Sequence, residues 1–505
     1  MAPPQRVAPN VLEFPAGLRC PLGPTDNSLS RPAPPMTLTT PSPGPATAAP
    51  GKPVSALIPQ AIALHRAHRV AEAKAIYERV LAENPNDFDA LHLLGVVAQQ
   101  EKDFERSRAL IERAIQINPQ HGSAYNNLGN TLKEMGLLEP AVHQFVRAVQ
   151  LRPDMLEPIS NCGNALKELG RPVQAIQCYE QALGLNPNHP EVHLNRALAK
   201  LMLGDFRAGF EEYEWRWQGE KLAPKLRQFP QPLWLGQTPL AGKTLLLHYE
   251  QGLGDTLQFC RYAPLLAAQG ARVLLEVQRP LLHTLLRLPG VSVVIEKGAP
   301  LPDFDLHCPL MSLPLACRTE LDTIPLPQGY LSAHPERLAR WRERLNAPAG
   351  ERTRPRVGLV WSGSTVHVND RNRSLRLEQL LPHLPAGPAY YCLQKELRDV
   401  DRAALAQSDI PFLGDTLQDF DDTAALCTLM DVVVSVDTSV AHLSAALGRP
   451  TWVLLPHVPD WRWLLEREDS PWYASVQLLR QGPDRQWTTP LQRLHAQLQQ
   501  LPLTS

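Results

Sequence analysis

Three short stretches combine residue types and spacings suited to holding an anionic, oxygen-rich ligand. In the first, Gly252, Gly254 and Asp255 form GLGD, between a strand ending at Glu250 and a helix beginning near Thr256. Glycines there permit positive φ and let a ligand approach the backbone, while the start of the helix offers unbonded N–H groups. Ligands of open α/β sheets bind beyond the carboxyl ends of the strands. Asp255 thus has the chemistry and the expected position to take a proton from an attacking hydroxyl. The competing reading is a carboxylate that only caps its helix.

The second stretch is DVVVSVDTSVAHLSAALGRP, residues 431–450. An apolar strand runs to Asp437, a helix is expected from about Thr438 to Leu447, and Gly448 and Pro450 mark its end. Thr438, Ser439 and Val440 would offer N–H groups at a helix start, where donors and dipole both favour a pyrophosphate. His442, one turn further in, could reach a phosphate or ribose oxygen or be a core histidine, and Asp437 could be an N-cap. The third stretch, WSGSTVHVNDRNRS at 361–374, also follows a strand. Ser362, Gly363 and Ser364 are small, and Arg371 or Arg373 could neutralise a diphosphate through bidentate contacts or stay solvated. Gln394 ends the strand AYYCLQ and is assigned to a base or ribose. The acidic pairs Asp303/Asp305 and Asp421/Asp422 are read as capping and solvated, so no metal and no cofactor is expected.

The elements that must hold these residues are apparent in the flanking sequence. TLLLHYE, RVLLEVQ, VSVVIE and a short strand near FDLHC alternate with helices, and so do RVGLVWSG, AYYCLQ, a short strand near IPFLG, DVVVSVDT and TWVLLP. That alternation predicts parallel βαβ units in two lobes, 230–342 and 354–505, the second ending in a C-terminal helix. ERLNAPAGERTRP, 343–355, reads as the linker.

Upstream, Pro85, Pro119, Pro153 and Pro187 recur every 34 residues, the tetratricopeptide period. Gly95, Gly129 and Gly163 share one column, Ala73, Ser107, Ala141 and Ala175 another. Tyr77, Ile111, Phe145 and Tyr179 form a bulky column expected to fill the gaps between neighbouring hairpins. Four repeats and a degenerate capping fifth, GDFRAGFEEYEWRW, span 54–217. Asn127, Asn161 and Asn195 share a column, and Asn130 and Asn164 another three residues on, the same helical face. Side-chain amides can donate to and accept from a peptide backbone, so this ladder could bind an acceptor polypeptide. Residues 1–53, rich in Pro, Thr, Ala and Ser, are expected to be a disordered leader.

The bulk composition is consistent with this organisation. Lys and Arg number 50 against 51 Asp and Glu, so nothing favours nucleic acid or an anionic membrane as partner. The eight cysteines form no CxxC pair and read as reduced thiols. With no apolar run near the roughly 18 residues that span a bilayer and no secretory signal, a cytoplasmic location is expected.

Through GLGD and DTSVAHLSAALGRP, the segment of about 230–500 resembles the glycosyltransferase family of the ADP-heptose lipopolysaccharide heptosyltransferases. The resemblance implies a GT-B fold of two Rossmann-type lobes, Asp255 as base, and Asp437 through His442 gripping a donor diphosphate. The repeats, with AYNNLGNTLKEMG at 124–136, are similar to those of O-linked N-acetylglucosamine transferases and plant-type O-fucosyltransferases, which modify Ser or Thr on proteins. The whole layout, with PDWRWLLEREDSPWY at 459–473, is similar to bacterial tetratricopeptide proteins with a glycosyltransferase-like C-terminus. Here the first lobe is short, and NDRNRS replaces a lysine of the heptosyltransferases, so the resemblance does not carry the donor's identity. The expectation is an inverting, metal-independent glycosyltransferase that uses a nucleotide-diphosphate sugar on the second lobe. Its acceptor, on the side of the first lobe, would be a protein or peptide presented by the repeats. The alternatives are an inactive repeat adaptor or scaffold, and a transferase that modifies glycans.

Overall fold

A computed structural model describes residues 54–220, 226–346, 354–367 and 369–502. The expected leader 1–53, with Cys20, and residues 347–353 of the expected linker lie outside the described residues. The chain divides into two compact units, residues 1–158 and 159–505. The repeat helices run across this division, to a turn at Glu214–Trp217. The last hairpin belongs to the second unit because its Ala197, Leu201, Met202, Phe206, Phe210 and Tyr213 are buried in that unit's core.

The first unit contains α1 (Ile58–Arg66), α2 (Val70–Glu83), α3 (Phe88–Gln100), α4 (Phe104–Ile117), α5 (Gly122–Glu134), α6 (Leu138–Leu151) and the start of α7 (Leu156–Glu168). Its hairpins close on the small column: a Cβ on Gly95 would lie 2.5 Å from Ile111, and one on Gly129 2.6 Å from Phe145. The bulky column therefore fills gaps within hairpins as well as between them, since Tyr77 also packs with Ala90, Leu94 and Val97 of the next hairpin. The turn inside each hairpin passes through positive φ at His68 (60°), Lys102 (63°) and Gly136 (79°), one repeat position at which only the last has the residue best suited to it.

In the second unit, α7 pairs with α8 (Pro172–Leu185), and α9 (Pro190–Met202) pairs with a short α10 (Phe206–Tyr213), followed by a 3-10 turn at Glu214–Trp217. A four-stranded parallel sheet comes next, in the order β3-β2-β1-β4: β1 Thr244–His248, β2 Arg272–Val277, β3 Val291–Glu296, β4 Leu306–Pro309. Among its helices are α11 (Leu253–Phe259), α12 (Tyr262–Ala268), α13 (Leu282–Leu285) and α14 (Leu313–Ala316). After α15 (Pro335–Asn346) a five-stranded parallel sheet follows in the order β6-β5-β7-β8-β9: β5 Arg356–Val360, β6 Ala389–Cys392, β7 Val432–Val436, β8 Thr451–Leu455, β9 Val476–Arg480. Its helices are α16 (Asp370–Arg373), α17 (Leu377–Leu380), α18 (Asp399–Ala406), α19 (Phe420–Leu429), α20 (Ser439–Ala446) and α21 (Thr488–Gln499). Parallel sheets with helices make this region α/β.

Several expectations need correction. IPFLG is not a strand: Pro411 and Gly414 interrupt it, and only Phe412 bridges to Cys392. Edge strand β9 was not expected. Asp421 and Asp422 are not solvated. Arg287 of the first sheet's α13 segment holds Asp421 at 2.5 Å, while Arg337, Arg340 and Trp341 of α15 all donate to Asp422. Asp419 is the cap of α19, and its carboxylate accepts from the N–H groups of Asp421 and Asp422. The described cysteines are free thiols, all buried except the partly exposed Cys317. Among the described residues no helix is long and apolar enough to cross a membrane.

Candidate functional site

In both sheets the strand order reverses where the motifs lie. β1 separates β2 from β4, and GLGD follows it; β5 and β7 are adjacent, and WSGS and DTS follow them. Such switch points leave a crevice outside the strand ends. The GLGD and DTS loops meet, because a Cβ on Gly254 would come 2.9 Å from His442 Cδ2 and 3.7 Å from Ser439 Cα. The loop carrying Asp255 and the start of α20 therefore lie against each other.

On the β7 side, Thr438 is the N-cap of α20, yet its side chain makes no capping bond, and its hydroxyl pairs instead with Ser435 Oγ at 3.0 Å. The first N–H groups of α20 are thus left to other acceptors. Arg373 donates through Nη1 to the Asp437 carbonyl at 2.6 Å. Its buried Nε has no hydrogen-bond partner among the described residues, the Asp370 carboxylate lying 3.9 Å away. Gly363 makes room for this guanidinium, since a Cβ there would lie 2.5 Å from Arg373 Nη2. A buried donor without a hydrogen bond, beside an uncapped helix start, has the chemistry to take a ligand oxygen.

Asp437 is mostly buried, and burial followed by the nearby Asp460 pushes its carboxyl up to about 6. His442 lies 3.8 Å from the Asp437 carboxylate, shares a hydrogen bond of 3.0 Å with Tyr473 through Nδ1, and stacks on Trp463. Burial, then the Arg462 charge, lowers its imidazole to about 3, so at neutral pH it brings no positive charge to a phosphate.

Across the crevice Asp255 does cap its helix, accepting from Gly252 N–H at 2.7 Å. Its other oxygen accepts from Arg462 Nη2 at 2.5 Å. Two contacts leave lone pairs free on a carboxylate, so capping does not use up its capacity to accept.

The remaining expected residues are distributed differently. Gln394 is turned inward: its carbonyl accepts from the N–H groups of Trp361 (2.8 Å) and Ser362 (3.0 Å), and its amide donates to Ser362 Oγ and Glu396 O. It fastens the loop after β5, and its polar atoms are used up by the protein. Ser362 is buried with it, while Ser364 and Arg371 are exposed. Among the asparagines of the first unit, Asn127 bonds His92 at 2.9 Å, and Asn130 is part-exposed. In the second unit Asn164 accepts from Tyr179 OH at 2.8 Å and Asn195 from Lys167 at 2.8 Å, whereas Asn161 is part-buried.

Sequence reasoning assigned no role to Arg462, Asp460, Trp463 or Tyr473, though all lie in the aromatic, charge-rich PDWRWLLEREDSPWY. That segment is held in uncommon backbone: buried Leu464 has φ 53° and ψ −174°. His367 was also passed over; it is exposed, and its imidazole is lowered by partial burial and then by Arg373, against the pull of Asp460, Asp255 and Asp370.

The fifth repeat supports the site from behind. Arg216 is fully buried, donates to both Glu250 oxygens at 3.1 and 3.0 Å, and lies over the rings of Tyr213 and Trp217. The Tyr213 hydroxyl accepts from Gln251 at 2.9 Å. Glu250 and Gln251 lead directly into GLGD.

Family comparison matches residues 64–132 and 122–155 to the tetratricopeptide repeat and residues 163–204 to the TPR repeat. The chain therefore contains tetratricopeptide repeats, which mediate protein interactions. Protein FlbA of Caulobacter vibrioides is 28% identical over 306 residues, 56% of this chain and 50% of FlbA, so the chain spans about half the length of that curated relative. Solved structures similar to part of the chain include MamA MSR-1 C2 (25% identity, 32% of this chain and 93% of that one, TM-score 0.29). Another is Pseudomonas aeruginosa pilF (24% identity, 34% and 79%, TM-score 0.32).

Proposed function

We propose that the α/β part of the chain is a GT-B-type glycosyltransferase that moves a sugar from a nucleoside-diphosphate sugar to an acceptor hydroxyl. The observation that carries the reading is the meeting of two strand–loop–helix sites in one crevice, with Asp255 on one side and the uncapped start of α20 with Arg373 on the other. In this reading the donor diphosphate takes the free N–H groups of α20 and the unpartnered Arg373 Nε. Asp255 takes the proton as the acceptor oxygen bonds to the anomeric carbon and the diphosphate leaves with the electron pair. Stabilising that leaving charge with fixed donors is the largest contribution such a site can make. The acceptor is a polypeptide held by the repeats, whose part-exposed polar positions on the first helices include Asn130.

Transfer from a panel of nucleotide sugars, followed by mass spectrometry of candidate protein and glycan acceptors, tests the reading. Asp255→Asn is expected to lower kcat about a hundredfold or more. Unchanged turnover removes Asp255 from the base role. One observation favours a second reading, an adaptor without activity: both Asp255 oxygens are already engaged. Calorimetry separates the two, since an adaptor binds a protein ligand and no nucleotide sugar.

A further inference from the structure

Arg462 is the most heavily committed cation of the crevice. Its side chain is nine-tenths buried, and its three guanidinium nitrogens each have a different partner: Nη2 gives to Asp255 (2.5 Å), Nη1 to Asp460 (2.8 Å) and Nε to Gln258 (2.8 Å). Burial works against its charge, but Asp460 and Asp255 outweigh that and hold it more firmly protonated than an ordinary arginine. Asp460 is fixed in turn, because it also accepts from the Arg462 N–H at 3.0 Å. The guanidinium lies 4.4 Å from the ring centre of Trp461, and that ring meets Phe210 at 5.5 Å and Phe206 at 6.2 Å, both nearly edge-on. A planar fork pinned at three nitrogens and one face has a single orientation, a property lysine lacks.

We propose that Arg462 is the positioning residue for Asp255 in the transfer reaction, and that the last repeat, through Phe206, Phe210 and Trp461, keeps Arg462 in place. This rests on the glycosyltransferase reading above. Gly252 N–H alone fixes one Asp255 oxygen and leaves the carboxylate free to turn about that contact. Arg462 fixes the second oxygen and so sets the direction of the remaining lone pairs. Displacement of a reacting group by about 1 Å costs on the order of a hundredfold in rate.

The test compares wild type, Arg462→Ala, Arg462→Lys and Phe210→Ala in the same transfer assay, with donor affinity from calorimetry and folding from a thermal melt. Arg462→Ala is expected to keep its donor Kd within a fewfold of wild type while kcat falls about a hundredfold, and added guanidinium ion should restore part of kcat. Arg462→Lys should recover little, because a point charge cannot hold three partners. Phe210→Ala should lower kcat with the donor Kd unchanged. Wild-type kcat in Arg462→Ala overturns the proposal, and so does a loss of kcat in a folded variant that guanidinium does not relieve. Absence of transfer by the wild type overturns the glycosyltransferase reading itself, a result that the variants do not mimic.

Discussion

At the residue scale, Asp437 illustrates the tension between a functional site and stability. Its carboxyl is pushed from an ordinary value of 3.8 to about 6 by burial and by Asp460. The folded protein therefore keeps a proton that the unfolded chain has already released between those two values. Stability from this group is fully present below pH 3.8 and is lost as pH rises through about 6. At neutral pH the protein holds a buried charge that water would solvate better. Asp437→Asn removes that cost, so its Tm is expected to exceed wild type by a few degrees above pH 6, with the difference shrinking toward pH 4. A Tm difference that stays flat across this range in melts at several pH values would remove Asp437 as the source. His442, in the first turn of α20, was left by the sequence between a phosphate or ribose contact and a core position. Trp463 and Tyr473 settle its surroundings, and they lie 21 and 31 residues further along the chain.

At the element scale, what was legible depended on whether the signal was local. The repeats were legible because a period of 34 writes each small–bulky contact into the sequence, as with Gly129 beneath Phe145. The start of α20 was legible for the same reason, since a helix of Ser439–Ala446 with Thr438 as cap is nearly the expected one, whereas α11 starts at Leu253 rather than near Thr256 and Gly252 has φ −75°. β9 was missed because Gln477 and Arg480 dilute its apolar pattern at a sheet edge. Arg462 was missed because its partner Asp255 lies 207 residues away, a pairing that no local pattern contains. The loop after β5 allows a test of the donor side. Gly363→Ala would place a Cβ 2.5 Å from Arg373 Nη2 and 2.8 Å from its Cζ, so the guanidinium must swing away while the backbone stays. Calorimetry is expected to show nucleotide-sugar affinity weakened about tenfold, roughly 1.4 kcal/mol, with little change in Tm. Equal affinity in the variant would argue that Arg373 does not meet the donor.

At the scale of the whole molecule, the fifth repeat belongs to the α/β part by its packing, although its sequence descends from the repeat pattern. Phe206, Phe210 and Tyr213 are buried in the same core as Phe259, Trp461 and Trp472. Arg216 neutralises Glu250, a nearly fully buried carboxylate. Removing one member of such a buried pair costs about 3–5 kcal/mol, since the other is left charged without a partner. Each lost aromatic contact adds exposed apolar area to that cost. A fragment of residues 156–505 is therefore expected to unfold in one cooperative transition, because it keeps α9, α10 and the turn carrying Arg216. A fragment of residues 226–505 lacks them and exposes Trp461 and Trp472; it is expected to aggregate or to melt well below the longer fragment. Circular dichroism melts and size-exclusion chromatography of the two fragments decide the matter. If the shorter one is monomeric and melts with the longer, the repeat cap is only an appendage, and any coupling from the repeats to Asp255 must take a route other than Trp461.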